Sequence, residues 1–184
     1  MNHICKSDFL TSNHDAHDMI GTPTPERFRS AMGSFASGVT IVTAGDSGVP
    51  AGITANAFSS VSLDPPLILV CIDRRSRSAE ILRRTAHFAV HILSENERDV
   101  AMTFARRGEG KFETVDWHWA DNGVPVLDHC LVRLSCTMET AYEGGDHLIF
   151  MGAVDQLDLV SPEAEPLTCY QGRLGALSLN SAND

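Results

Sequence analysis

Apolar residues recur at helical spacing after a proline-rich segment near the N-terminus. The four that share one helical face are Phe28, Ala31, Met32 and Phe35. Thr24 is a suitable N-cap and Pro25 a suitable first residue, because the first turn of a helix leaves its N–H groups without intrahelical partners. We therefore predict a helix that begins at Pro25 or Glu26 and ends at Gly38.

Short runs of β-branched and other apolar residues follow this helix and predict strands. The predicted strands are 39–44, 51–55, 67–72, 88–93, 130–142, 147–159 and 167–179. Gly45-Asp46-Ser47-Gly48 separates the first two strands, which we expect to form a hairpin. Gly144-Gly145 joins two of the later strands.

Two further helices are predicted between the strands, at 78–84 and 95–106. The second has Ser94 as N-cap and Glu97 at the position that completes a capping box. About seven short strands with two or three peripheral helices, and no regular strand–helix–strand alternation, are typical of antiparallel barrels. The pattern therefore predicts a mainly β protein built on a closed or nearly closed barrel.

Composition narrows the class of protein. With 184 residues, 43% of them hydrophobic and 21% charged, the chain is expected to form one globular domain. A net charge of −10 disfavours binding to nucleic acid, whose phosphates repel an acidic protein. The longest apolar run, 67–72, is much shorter than the roughly 18 to 20 residues that cross a bilayer, so no membrane segment is predicted.

The domain is expected to cover residues 25–178, with a mobile N-terminal tail over 1–24 and a short C-terminal tail over 179–184. The first residues lack the basic start and apolar centre of a secretory signal, which favours a cytoplasmic location. Five widely spaced cysteines without a CxxC pair favour reduced thiols.

Motifs of several other enzyme classes do not occur in the sequence. The patterns GxGxxG, GxxxxGKS or GxxxxGKT, HExxH and GxSxG are all missing, so dinucleotide-fold, P-loop, zinc-protease and hydrolase interpretations have no local support. His14 and His17, or His129 with Cys130 and Cys136, do not have the spacing of metal ligands. No metal site is predicted.

Nine of the 14 basic residues fall in two clusters. They are Arg74, Arg75, Arg77, Arg83 and Arg84 in the first, and Arg98, Arg106, Arg107 and Lys111 in the second. Such clusters can hold phosphate groups, with the hydroxyls of Ser76 and Ser78 as additional donors. The alternative is a set of solvated helix faces that pair with Glu80, Glu95 and Glu97.

The segment 52–66 is rich in Ser, Thr and Asn where a barrel strand should be apolar. Small polar side chains allow a flat polar ligand to approach the backbone and form hydrogen bonds with it. The turn and loop preferences of these residues instead favour an ordinary Ser/Thr-rich loop. Both interpretations stay open from the residues alone.

Two adjoining segments resemble the signature of a known family. They are ITANAFSSVSLDPPL at 53–67, followed after a strand by DRRSRS at 73–78. Further similar segments are FRSAMGSFASGVT at 28–40, FAVHIL at 88–93, GGDH at 144–147 and PLTCYQG at 166–172. Together they resemble the flavin reductase-like domain family, the short-chain NAD(P)H:flavin oxidoreductases of two-component monooxygenases, from about Pro25 to Leu177.

The resemblance implies an FMN-binding split β-barrel with Greek-key-like connections, in which the flavin lies in a groove between the barrel and the partner subunit of a homodimer. The implied cofactors are FAD or FMN together with NADH or NADPH. The implied partner is an oxygenase component that receives reduced flavin by diffusion. No residue is implied to be catalytic, because hydride passes between two cofactors that carry the chemistry themselves.

The resemblance also implies four groups of binding residues. The isoalloxazine is expected at Pro50, Ala51, Gly52, Ile53, Thr54, Asn56 and Ala57, mostly through their backbone. The ribityl chain and phosphate are expected at Cys71, Ile72, Asp73, Arg74, Arg75, Ser76 and Arg77. The segment over the far end of the flavin is expected to be Phe104 and Ala105, with Arg107, Lys111 and Phe112. The nicotinamide nucleotide is expected at His147, Cys169, Tyr170, Gln171 and Gly172.

Two positions depart from the family pattern. His91 stands where many members have Asn, and Gln171 with Leu174 replaces a more basic and aromatic ending. His147 has the alternative role of bracing its turn through a backbone carbonyl, and Tyr170 that of a core residue. Two other functions also stay open, a non-catalytic flavin-binding module and an oxidase with tightly held flavin.

Overall fold

The computed structural model describes residues 21–177, and the predicted tails lie almost wholly outside them. The helices are α1 Pro25–Gly33, α2 Arg77–Leu82 and α3 Arg98–Ala105, and a short 3-10 helix, Glu95–Glu97, precedes α3. The strands are β1 Ser37–Gly38, β2 Thr40–Asp46, β3 Val49–Ala55, β4 Phe58–Leu63, β5 Pro66–Asp73, β6 His87–Ile92, β7 Trp117–Trp119, β8 Pro125–Leu127, β9 Val132–Gly144, β10 His147–Leu159, β11 Leu167–Tyr170 and β12 Arg173–Ala176.

Seven strands form one antiparallel sheet in the order β3-β2-β6-β9-β10-β5-β4. Six spacings of about 4.8 Å would hold the two edge strands about 29 Å apart in a flat sheet. Only Asn56 and Ala57 connect the end of β3 to the start of β4, and that connection spans at most about 11 Å. The sheet must therefore roll into a barrel, with β3 and β4 facing each other across an unpaired seam. This seam agrees with the predicted split barrel.

Two hydrophobic clusters stabilise the domain. The first fills the barrel, with Phe88, Phe150 and Ile72 among its largest buried side chains. The second lies between the barrel, α3 and a small sheet of β1, β11 and β12, and contains Ile41 and Phe104. Strand β2 contributes to both clusters because its alternate residues point to opposite faces.

The predicted hairpin of the first two strands is confirmed by the pairing of β2 with β3. The capping box is also confirmed, since Ser94 and Glu97 bond reciprocally at the start of the 3-10 helix. The first helix, by contrast, ends at Gly33 and not at Gly38. The prediction was wrong there because residues 37–38 pair with β11, a tertiary contact that helical spacing does not reveal.

In three regions the observed strands differ from the prediction. The polar segment 58–63 is not a loop but the edge strand β4, which needs few apolar residues because four of its six are exposed. The predicted last strand is a hairpin, since Gln171 and Gly172 adopt left-handed φ angles of 49° and 71° between β11 and β12. The hairpin of β7 and β8 was not predicted at all.

Candidate functional site

A cleft of about 440 Å³ opens between β3, the start of α2 and the loop after α3. The residues that line it are Pro50, Ala51, Gly52, Arg77, Ser78, Gly108, Glu109, Gly110, Lys111, Phe112, Glu113 and Trp117. The expected site residues that it brings together are Pro50, Ala51, Gly52, Arg77, Lys111 and Phe112. Its volume falls in the range of about 300 to 1,000 Å³ typical of small-molecule sites.

Strand β3 gives the cleft a backbone edge that no second strand pairs with. It lies at the edge of the large sheet and pairs there only with β2. Alternate residues of an edge strand direct their N–H and C=O groups away from the sheet. These groups are suited to bind the edge of a flat heterocycle that carries both donors and acceptors.

Aromatic rings pack beneath this edge. Phe104 is fully buried, and its ring lies 5.0 Å from that of Phe112 in an edge-to-face arrangement. Phe112 in turn lies 5.0 Å from Trp117. We call the rings of Phe104, Phe112 and Trp117 the aromatic floor of the cleft. A Cβ atom at Gly52 would overlap the Phe104 ring and come within 3.2 Å of Phe112, so β3 can lie this close to the aromatic floor only with glycine at position 52.

Lys111 links the loop after α3 to β3 and to the end of α3. Its ammonium donates to the carbonyl of Gly52 at 3.1 Å and to that of Phe104 at 3.0 Å. Burial lowers the pKa of Lys111. Because the Phe104 carbonyl belongs to the last turn of α3, the cation also interacts favourably with the helix end.

The arginines expected at the phosphate all have carboxylate partners. A guanidinium nitrogen of Arg77 lies 2.8 Å from a carboxylate oxygen of Glu109 at the opening of the cleft. A guanidinium nitrogen of Arg74 lies 2.8 Å from a carboxylate oxygen of Glu143. Arg75 donates two side-chain hydrogen bonds to Asp73. The Ser76 hydroxyl accepts from the backbone N–H of Ala79 and caps α2. The Arg84–Glu80 pair at 3.2 Å fits the alternative of solvated helix faces.

Asp73 is the buried carboxylate of this region. It is 4% exposed and accepts hydrogen bonds from the Arg75 side chain and from the Arg75 backbone N–H. The Arg75 guanidinium holds the pKa of Asp73 well below its ordinary range. The pair therefore stays ionised and fixes the chain at the end of β5.

His147 begins β10 directly opposite Asp73. Its Nδ1 lies 2.8 Å from a carboxylate oxygen of Asp146, which lowers the pKa of Asp146, and 30% of the His147 side chain is exposed. Arg74 braces the same turn through the carbonyls of Gly145 and Asp146. The alternative role expected for His147 was to brace its turn through a backbone carbonyl, but its partner is the side chain of Asp146. Part of the His147 ring is exposed and could contact a ligand.

Segment 169–172 lies in the small sheet beside α1. Cys169 is buried, whereas half of Tyr170 is exposed, so the interpretation of Tyr170 as a core residue was wrong. The Gln171 N–H donates to the carbonyl of Gly33 at 2.8 Å. His147 belongs to the large sheet, and the two expected nicotinamide regions therefore occupy different sheets.

A family model described as "Flavin reductase like domain" matches residues 32–178. The chain belongs to this family.

Relatives and solved structures agree with the family assignment. A probable flavin reductase of Rhizobium meliloti is 47% identical over 131 residues, which are 71% of this chain and 42% of that protein. The reductase subunit HsaB of a flavin-dependent monooxygenase from Rhodococcus jostii is 38% identical over 149 residues, 81% of this chain and 76% of that protein. The chain spans 57% of a second Rhizobium meliloti relative, so it covers about half the length of two of these proteins.

Among solved structures, the NADH:FAD oxidoreductase SgcE6 of Streptomyces globisporus C-1027, in complex with NAD and FAD fragments, is 34% identical to this chain. The match has a TM-score of 0.80 and covers 90% of this chain and 100% of that chain. The mainly β fold of this flavin reductase-like domain is therefore shared with a structure of a flavin-reducing enzyme.

Several expected site residues of this flavin reductase-like domain offer a ligand only their backbone. Ile53 and Ile72 point into the barrel cluster, and the Thr54 hydroxyl donates to the carbonyl of Ala101 at 2.6 Å. Asn56 and Ala57 are exposed at the seam, and the Ala57 carbonyl accepts from the Cys71 N–H. Ala105 packs against the second cluster beneath the cleft.

Five residues that line the cleft of this family member were not expected from the sequence, namely Gly108, Glu109, Gly110, Glu113 and Trp117. Glu109 and Trp117 line it, but they depend on how the loop after α3 folds back over β3. The only local signal was the pair of glycines on either side of Glu109, whose φ angles of 119° at Gly108 and 76° at Gly110 suit glycine. No group of metal ligands occurs among residues 21–177.

Proposed function

We propose that the chain is an NAD(P)H-dependent flavin reductase, with NADH as the expected donor, that reduces FAD or FMN and supplies the reduced flavin to a partner monooxygenase. The observation that carries the proposal is the cleft, which combines an open strand edge, an aromatic floor and the Arg77 guanidinium at its mouth. The names of the Rhodococcus jostii and Streptomyces globisporus relatives support the reaction and the partner.

The residues fit a bound flavin by their chemistry. Backbone groups of β3 would bind the isoalloxazine edge, and the Arg77 guanidinium would pair with a phosphate. Phe112 and Trp117 would exclude water from one side of the ring. When both cofactors are bound, hydride passes from the nicotinamide to the flavin, and the cofactors supply that chemistry. The chain's own task is to hold the two rings in contact, and no side chain has to donate or accept a proton.

The test is steady-state oxidation of NADH with added FAD, FMN or riboflavin. We expect little oxidation without flavin and a saturable rate with it. A non-catalytic flavin-binding module would bind flavin without consuming NADH, and an oxidase with tightly held flavin would copurify with it and not respond to addition. Either result would contradict the proposed function.

We also propose a homodimer that forms through α1. None of the nine residues of α1 is buried, and Phe28, Met32 and Phe35 are 58%, 54% and 79% exposed. A helix this short is marginal in water unless another surface packs against it. A second copy of the chain is the expected cover.

Light scattering should therefore report a dimer, and Phe28→Ser with Phe35→Ser should shift it to monomers. The control is Leu159→Ser, which removes an apolar residue that is 64% exposed elsewhere on the surface and should leave the dimer intact. A monomeric wild-type chain with full activity would exclude this proposal.

His147 is proposed to position the nicotinamide carboxamide. His147→Ala should raise the KM for NADH by about three- to tenfold, the effect of losing one hydrogen bond, and leave the Kd for flavin unchanged. His147→Asn should restore part of the loss, because an amide offers a donor and an acceptor. The control is His129→Ala, an exposed histidine paired with Asp116. A lower melting temperature with unchanged NADH kinetics would instead assign His147 to bracing its turn.

No helix among residues 21–177 has the length and apolar character to span a membrane. Cys71, Cys130 and Cys136 are free thiols. Because disulfides are rare in the cytosol, the free thiols support the proposal of a cytoplasmic location.

A further inference from the structure

Glu109 lines the cleft beside Arg77 and pairs with its guanidinium. Its carboxylate lies 2.8 Å from that guanidinium, and the side chains of Arg77 and Glu109 are 53% and 86% exposed. An ion pair so exposed contributes little to stability and exchanges readily. The pair is therefore unlike the Asp73–Arg75 pair, in which the carboxylate is almost fully buried.

Among the described lining residues, Arg77 is the cation that a phosphate could bind by displacing a single exposed partner. The charged lining residues are Arg77, Lys111, Glu109 and Glu113. Lys111 already donates to the carbonyls of Gly52 and Phe104, so it would have to break two hydrogen bonds to bind a phosphate. Two cations and two carboxylates also make the lining neutral overall, which gives an anionic flavin no general attraction.

We propose that Glu109 competes with the flavin phosphate for Arg77 and thereby sets the affinity for phosphorylated flavins. This inference rests on the proposed function and adds to it a residue that determines specificity. FMN and FAD have to displace the Glu109 carboxylate before Arg77 can pair with their phosphate. Riboflavin carries no phosphate and leaves the Arg77–Glu109 pair in place.

The competition predicts a residue-specific effect on binding. Glu109→Gln removes the negative charge while it keeps the size of the side chain, so Arg77 becomes free to pair with phosphate. The Kd for FMN and FAD should fall by up to about fivefold at low salt, the range of one exposed charge interaction. The Kd for riboflavin should not change. Tighter binding should also slow the release of FMN.

The experiment is fluorescence titration of the wild-type chain, Glu109→Gln, Arg77→Ala and the double variant with FMN, FAD and riboflavin, at low and high salt. Arg77→Ala should weaken FMN binding and abolish the effect of Glu109→Gln, because the competition needs both residues. The control is Glu163→Gln, which removes one exposed negative charge far along the sequence from the cleft and should leave all three Kd values unchanged.

The outcomes separate this inference from the proposed function. If the wild-type chain binds none of the three flavins, the proposed function fails. If it binds FMN but Glu109→Gln does not tighten that binding, the competition is excluded while the proposed function stands. An equal gain for riboflavin, or an equal gain with Glu163→Gln, would also overturn it, because the effect would then not involve a phosphate at Arg77.

Discussion

Replacement of Phe104 by alanine should lower the free energy of unfolding by about 3 to 5 kcal/mol, the usual cost of truncating a fully buried phenylalanine. Phe104 is 0% exposed and packs with the second hydrophobic cluster, and its ring contacts Phe112. It also lies under Gly52, so the cavity would open directly beneath the cleft. Flavin affinity should fall together with stability.

Urea unfolding at neutral pH measures the first effect and flavin titration the second. The control is Leu63→Ala, which truncates an apolar side chain that is 93% exposed and should change stability by less than about 0.5 kcal/mol. A loss below about 1 kcal/mol for Phe104→Ala would mean that the aromatic floor is not packed as described.

His91 should make the domain sensitive to acid. It is fully buried on β6, and its Nδ1–H donates to the carbonyl of Ile41 at 3.1 Å while Nε2 accepts from the Leu127 N–H at 3.0 Å. Only the neutral ring can make both bonds. Burial lowers the pKa of His91 to about 4. The hydrogen bond to Ile41 raises this pKa, whereas the charge of Arg133 lowers it further.

The unfolded chain binds this proton at its ordinary pKa of about 6.5, so it binds more protons than the folded chain between pH 6.5 and 4. The stabilising contribution is therefore complete above about pH 6.5 and is lost as the pH falls toward 4. Between pH 7 and pH 5 the loss should be about 2 kcal/mol.

His91→Asn provides the matched test, because its amide N–H can take the place of Nδ1–H toward the Ile41 carbonyl but does not titrate. Urea unfolding at pH 7 and pH 5 should show a smaller drop for the variant than for the wild type. Equal drops for both proteins would show that other groups cause the acid sensitivity.

Strands with strong local signals could be predicted from the sequence. The prediction of a strand at 147–159 matches β10, His147–Leu159, because a glycine turn marks its start and a run of apolar residues follows. Strand β4 was not predicted, since an exposed edge strand with three serines has the composition of a loop. The end of α1 was missed because it depends on pairing with β11.

The candidate site could be predicted only where the sequence carries a family motif. The resemblance to the family located part of β3, Arg77, Lys111 and Phe112, which line one cleft. It did not reveal that Glu109 pairs with Arg77, because that contact joins two segments 32 residues apart through a folded loop. It also did not separate ligand-facing side chains from buried ones such as Ile72, which requires the three-dimensional packing.

The most direct test of the account is anaerobic reduction of FAD by NADH, followed by the loss of flavin absorbance, with FAD in large excess over the chain. We expect all of the FAD to be reduced, at a rate proportional to the concentration of the chain. Each molecule of reduced flavin should leave the site, and another molecule of FAD should then bind there. Reduction that stops at one flavin per chain, or a rate that does not depend on the concentration of the chain, would contradict the proposal that this protein is a flavin reductase that supplies a partner.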